Sequence, residues 1–122
     1  MTQHYDRVMD TTTTTGTGNI TLSGTPVSGF RAFGSTFATN EPFDYCIEAV
    51  DSNGVPTGEW EIGEGYLSAS TTLVRSVVAT SSNSNAAVNF SAGTKRVFNT
   101  FPSNEILDIG DAVGRTSFAF MM

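Results

Sequence analysis

Residues 87–100, AVNFSAGTKRVFNT, decide how the rest of this 122-residue chain is read. Val88 and Phe90 alternate with polar neighbours, the period-two mark of a half-buried strand. Ser91, Ala92, Gly93 and Thr94 supply a tight turn, with Gly93 suited to a positive φ. A second strand is expected over 95–101, ended by Pro102. Val97 and Phe101 are assigned to one face of it and Phe98 to the other. A strand apolar on both faces is either central in a β fold or covered by a second chain. Core and subunit contact therefore both stay open for this hairpin.

Outward from the hairpin, the chain reads as further short strands separated by turns. Residues 6–10 (DRVMD) suggest a first strand around Val8. The threonine run 11–15 follows, extended because β-branched side chains favour that backbone, as an edge strand or a loop. Ile20 and Leu22 alternate with polar residues in a second strand. The phenylalanines at 30, 33 and 37 fit one helical turn as well as a strand. Residues 43–50 form a firm strand with Phe43, Tyr45 and Ile47 on one face. Asn53-Gly54 signals a turn, and the chain returns over 59–67, with Trp60 and Ile62 on one face and Glu59 and Glu61 on the other. Gly63 and Gly65 there suggest a bulge or a close backbone approach. Residues 71–80 form another strand. The expected fold is all-β, a small sandwich or barrel of about seven short strands. Residues 1–5 form an N-terminal arm, 6–102 the β module, and 103–122 an extended or short-helical tail. Ser103 or Asn104 is placed to cap a short helix containing Ile106 and Ile109. Residues 118–122 (FAFMM) are an apolar end that should dock on something.

Composition narrows the function. The chain carries a formal net charge of −6, and Lys95-Arg96 is its single adjacent basic pair. Binding to nucleic acid needs clustered cations, so none is expected. Cys46 is the only cysteine and cannot form an intrachain disulfide. No basic and apolar leader opens the sequence, and no apolar run is long enough to span a bilayer, so synthesis and assembly in a cytoplasm are expected.

No catalytic, cofactor-binding or metal-binding set emerges. Asp44, Glu48, Glu59 and Glu61 are close enough across a strand pair for acid–base hydrolysis, or else form the wet face of a half-exposed sheet. A metal held by Cys46 and His4 would need ligands the sequence does not supply. Trp60 and Tyr66, with Tyr45, are candidates for a sugar-stacking platform or for core aromatics.

Four stretches together form a recognisable pattern: DRV and TTTTTGTGNITL over 6–22, GEWEIGEGYL over 58–67, TLVRSVV over 72–78, and AVNFSAGTKRVFNTFP over 87–102. In this order and spacing they resemble a small β module of tailed bacteriophages, found in tail-fibre and other virion structural proteins. The resemblance covers residues 6–102. It implies a non-enzymatic virion component without a cofactor, assembled in the host bacterial cytoplasm, that contacts other copies of itself and other virion proteins of the tail, neck or fibre. A trimer or hexamer is expected by analogy with phage parts. The chain stops soon after the module, so the expected role is a tail or neck adaptor; a capsid decoration protein and a carbohydrate-binding host-surface module are the alternatives. Expected subunit contacts are Thr11, Thr13 and Thr15 in the threonine run, and Ile106, Ile109, Phe118, Phe120 and Met121 in the tail.

Overall fold

The computed structural model describes residues 2–102. The expected all-β class is what it shows. Six strands, β1 (Met9–Thr12), β2 (Ile20–Thr21), β3 (Phe43–Val50), β4 (Pro56–Ala69), β5 (Thr72–Ser81) and β6 (Lys95–Asn99), share one antiparallel sheet with a single helical turn, α1 (Phe33–Thr36), between β2 and β3. The strand order is β1-β6-β3-β4-β5-β2. The two edges of this sheet meet. Thr12 bridges Leu22, and the Ser23 N–H donates to the Thr11 carbonyl at 2.9 Å. Of the two all-β forms expected, the sheet is therefore a nearly closed barrel.

Closure depends on curvature, and β4 supplies much of it. Its register with β5 shifts at Ile62/Gly63, Glu64/Gly65 and Leu67/Ala69. Each irregularity bends the ladder and adds twist. Gly63 and Gly65 have a second role, the close approach read from the sequence. A Cβ on Gly63 would lie 2.8 Å from the Tyr45 hydroxyl and 2.3 Å from the Val77 carbonyl, and one on Gly65 would lie 3.3 Å from the Tyr45 ring. The missing side chains make room for the Tyr45 ring inside the barrel.

The β1–β2 seam is closed largely by threonine hydroxyls. The Thr12 hydroxyl donates to the Thr21 carbonyl at 2.7 Å, and the Thr21 N–H donates to the Thr14 hydroxyl at 2.9 Å. The threonine run is thus partly strand and partly loop, and it is not a free edge. Alternation splits its side chains: Thr12 is buried, whereas Thr13 and Thr15 are exposed and Thr11 is half-buried.

The core runs through the barrel. Phe43, Tyr45 and Ile47 share the inner face as their alternation implied, joined by Ile20, Leu67, Leu73 and Val97, all at most 1 % exposed. One mouth is plugged by Phe33 and Phe37, which α1 brings to the same side four residues apart. The Phe37 ring stacks on Phe43 with centroids 4.2 Å apart.

Residues 87–100 differ from expectation. No hairpin joins 87–90 to β6. Phe90 forms an isolated bridge with Gly16, while β6 lies between β1 and β3. Val88 and Phe90 do alternate and are buried, but they plug the second mouth of the barrel and add no strand to the wall. This is why six strands are found where about seven were expected. β6 is central, with Val97 inside and Phe98 on the outer face; Phe101 lies beyond the strand and is 45 % exposed, not on the buried face of Val97.

Gly63→Ala forces a methyl group against the Tyr45 hydroxyl and the backbone of β5. It is expected to lower stability by about 1–3 kcal/mol in urea unfolding. Gly18→Ala meets nothing within 4 Å and should stay within about 0.5 kcal/mol of the parent.

Candidate functional site

The most elaborate arrangement in the barrel is a buried polar centre. Glu61 is fully buried, and the Arg75 side chain is 2 % exposed. The side chain of Glu61 points inward because β4 turns Glu61, Gly63, Gly65 and Leu67 to the interior. The two groups pair through both carboxylate oxygens: Arg75 Nε donates to Oε2 at 2.8 Å, and Nη2 donates to Oε1. The Tyr45 hydroxyl donates to Oε2 at 2.5 Å and the Val88 N–H to Oε1 at 2.8 Å. Arg75 spends its remaining donors on the Gly16, Gly18 and Val88 carbonyls at 3.1, 3.2 and 2.8 Å.

The hydrogen-bond partners of Glu61 favour its ionised form. Burial alone would raise the Glu61 pKa, yet the hydrogen bonds from Arg75, Tyr45 and Val88 hold it below the usual carboxylate value. Burial would likewise lower the Arg75 pKa, and the Glu61 carboxylate holds it up. The Tyr45 hydroxyl is pushed well up, by burial first and by the Glu61 carboxylate second. The centre is therefore a closed ion pair with its hydrogen-bonding capacity turned inward on the protein.

The other carboxylates do not join it. Asp44 and Glu48 alternate to the outer face of β3. Asp44 is covered by the N-terminal arm: the Thr2 hydroxyl lies 2.6 Å and His4 Nε2 2.9 Å from its Oδ2. Glu48 pairs with Arg96 at 2.8 Å, partly exposed. Glu59 binds the Ser91 N–H at 3.0 Å and hydroxyl at 2.7 Å, which lower its pKa. The acid–base set Asp44, Glu48, Glu59 and Glu61 is thus divided between two faces of the sheet. Neither does Glu61 belong to a wet face: the inside of β4, not the outside, carries it.

The aromatic candidates also separate. Tyr45 is fully buried and cannot contribute to a surface platform. Trp60 and Tyr66 are half-buried on the outer face of β4; six residues along a strand put them about 20 Å apart. Cys46 is buried, its thiol pushed up to about 12 by burial and by Glu48. His4 is engaged with Asp44. Among the described residues no group of three or more His, Cys, Asp and Glu side chains could hold a metal ion. No helix of the described residues is long and apolar enough to cross a membrane. Ile106, Ile109, Phe118, Phe120 and Met121 lie outside the described residues.

Lys95 is the anomaly. It is 1 % exposed, and its Nζ has no hydrogen-bond partner among the described residues. Burial lowers its pKa, with the Glu59 carboxylate opposing. Sequence reading missed both this lysine and the Glu61–Arg75 pair. The available signal was a charge inside each apolar strand, Arg75 among Leu73, Val74, Val77 and Val78, since an isolated buried charge must find a partner. Comparison with known proteins finds no matching family model, no matching curated protein and no matching solved structure.

Three variants read the polar centre and its anomaly. Glu61→Gln leaves Arg75 buried without a counter-ion and is expected to cost about 3–5 kcal/mol in chemical unfolding, whereas the apolar double change Glu61→Leu/Arg75→Met recovers a large part of it. Because the Glu61 pKa is lowered in the fold, its contribution is complete above the ordinary carboxylate range and is lost as pH falls through the lower folded value. The fall in stability below about pH 4 should accordingly be shallower in the double variant. Lys95→Met removes an unsatisfied buried ammonium and should raise the unfolding midpoint, by about 1–3 kcal/mol of added stability.

Proposed function

We propose that this chain is a structural component of a tailed-bacteriophage virion, an adaptor of the tail or neck that joins subunits and carries no reaction of its own. The observation that supports this reading is where the four phage-like stretches meet. Gly16 and Gly18 come from the first stretch, Glu61 from the second, Arg75 from the third and Val88 from the fourth. All of them belong to the one buried network. The residues that carry the resemblance are those that hold the barrel shut, so the likeness is one of scaffold. A scaffold likeness is what a structural module reused in different virion proteins would leave.

In this reading the partners are further copies of the chain and neighbouring virion proteins, and assembly takes place in the bacterial cytoplasm. The exposed side of the threonine run, at Thr13 and Thr15, and the apolar end of the chain, with Phe118, Phe120 and Met121, are the surfaces assigned to those contacts. The inner side of the run is committed to the barrel seam.

Quantitative mass spectrometry of purified particles from a phage encoding the chain should find it at a fixed ratio to the major tail or head proteins. Deletion of residues 115–122 should block incorporation while the circular dichroism of the barrel is unchanged. Particles that lack the protein altogether would overturn the proposal; incorporation of the shortened chain would remove the tail as its anchor.

A further inference from the structure

The point where the described chain ends is bordered by an unusual strip of surface. The Phe101 ring packs edge-on against His4 with centroids 4.9 Å apart. Tyr5 follows His4, is 38 % exposed, and lies under the Arg31 guanidinium at 5.9 Å. The exposed Asp6 comes next, its carbonyl accepting from the Arg31 guanidinium at 3.2 Å, and Arg7 after it covers the Phe30 ring at 3.9 Å. The strip is preformed. Asp44 holds His4, the Asn99 side chain accepts from the Tyr5 N–H at 2.8 Å, and the Arg31 N–H donates to the Arg7 carbonyl at 2.5 Å.

Its charge sets it apart. Arg75 is paired with Glu61, Arg96 with Glu48, and Lys95 is buried. Arg7 and Arg31 are both exposed, and among the described residues neither forms an ion pair with a carboxylate. Among the described residues of a chain with a formal net charge of −6, Arg7 and Arg31 are thus the exposed cations without a carboxylate partner, and with Asp6 between Tyr5 and Arg7 the strip still carries net positive charge next to the exposed aromatic rings of Tyr5 and Phe101. Cations over and beside aromatic rings suit an occupant that is both acidic and apolar.

Such an occupant begins four residues later in the same chain. Residues 105–111, EILDIGD, contain Glu105, Asp108 and Asp111, three large aliphatic side chains and no cation. Glu105 can lie no more than about 14 Å from Phe101, at 3.3–3.6 Å per extended residue. Covalent tethering at that distance gives an effective concentration in the millimolar range, so even a weak contact is populated. We infer that the strip Phe101–His4–Tyr5–Arg31–Arg7 is the docking surface for the chain's own segment 105–111. This inference does not rest on the virion assignment.

A nitroxide on Ile109→Cys in the full-length protein tests it; Cys46 is buried with a raised thiol pKa and stays unlabelled. In a sample of ¹⁵N spin-labelled chain diluted with unlabelled chain, the amide signals of Tyr5, Arg31 and Phe101 should lose most of their intensity, while those of Val55 and Val77 keep theirs. The loss should be relieved by Arg7→Glu/Arg31→Glu and, without any mutation, by about 1 M salt, where the screening length falls to about 3 Å. Full intensity along the strip, or loss centred on Trp60 or Val77, overturns the inference. Loss in a mixture of ¹⁵N chain without the label and ¹⁴N chain with it assigns the surface to a second copy and overturns the intramolecular assignment.

Discussion

The Glu61–Arg75 pair is the constraint around which the barrel is built. Taking two charges out of water costs several kcal/mol per ion, and their attraction repays this only when the remaining donors and acceptors are also met. Here they are met by chain segments distant in sequence: the glycine loop after the threonine run, the inner hydroxyl of β3, and the backbone at Val88. Each of those segments has a position because the pair requires one. The loop 16–18 must present carbonyls inward, and residues 87–90 must leave the sheet and cross the barrel mouth to bring the Val88 N–H to Glu61. A purely apolar interior would have left both segments free to lie elsewhere, and the polar pair so specifies their arrangement.

The same requirement explains the unusual inner face of β4. A carboxylate, two glycines and a leucine make a poor apolar stripe by themselves. Tyr45 reaches across from β3 to deliver its hydroxyl, and its ring needs the volume that Cβ atoms at 63 and 65 would occupy. The glycines also permit the register shifts that curl the sheet. Packing, hydrogen bonding and curvature are therefore coupled at three residues. The seam between β1 and β2 has a different solution. β2 is two residues long, and the hydroxyls of Thr12 and Thr14 complete with side chains what a longer ladder would complete with backbone.

The two ends of the described chain meet on the outer face of β3. The N-terminal arm lies along its own sheet, with Gln3 bridging Phe43 and donating to the Pro42 carbonyl at 2.9 Å, and the chain leaves β6 beside it. Burial of Asp44 beneath Thr2 and His4 fixes the arm. It thereby places the exposed cations and aromatic rings next to the exit. The chemistry of this surface arises from where the N-terminal arm meets residues 99–101.

Much of the wall was legible from sequence because alternation reports which side of a strand is buried. Phe43, Tyr45 and Ile47, the Asn53-Gly54 turn, the alternation of Ile20 with Leu22, and the close approach at Gly63 and Gly65 are local properties, and local patterns carried them. The tertiary structure alone decided which face of β4 was inside. Trp60 and Ile62 are more apolar than Glu61, so the hydrophobic rule pointed outward; the rule failed because Arg75, fourteen residues away, neutralises Glu61. The hairpin at 87–100 failed for the same reason. Its period-two pattern is genuine and its residues are buried, but periodicity does not say what a segment pairs with. That choice rested on a carboxylate in need of an N–H and a barrel mouth in need of Phe90. The sequence by itself determined an all-β chain with identifiable strand faces. Only the tertiary structure decided closure, the buried ion pair and the contact of the N-terminal arm with residues 99–101, because each depends on groups far apart in the chain satisfying one another.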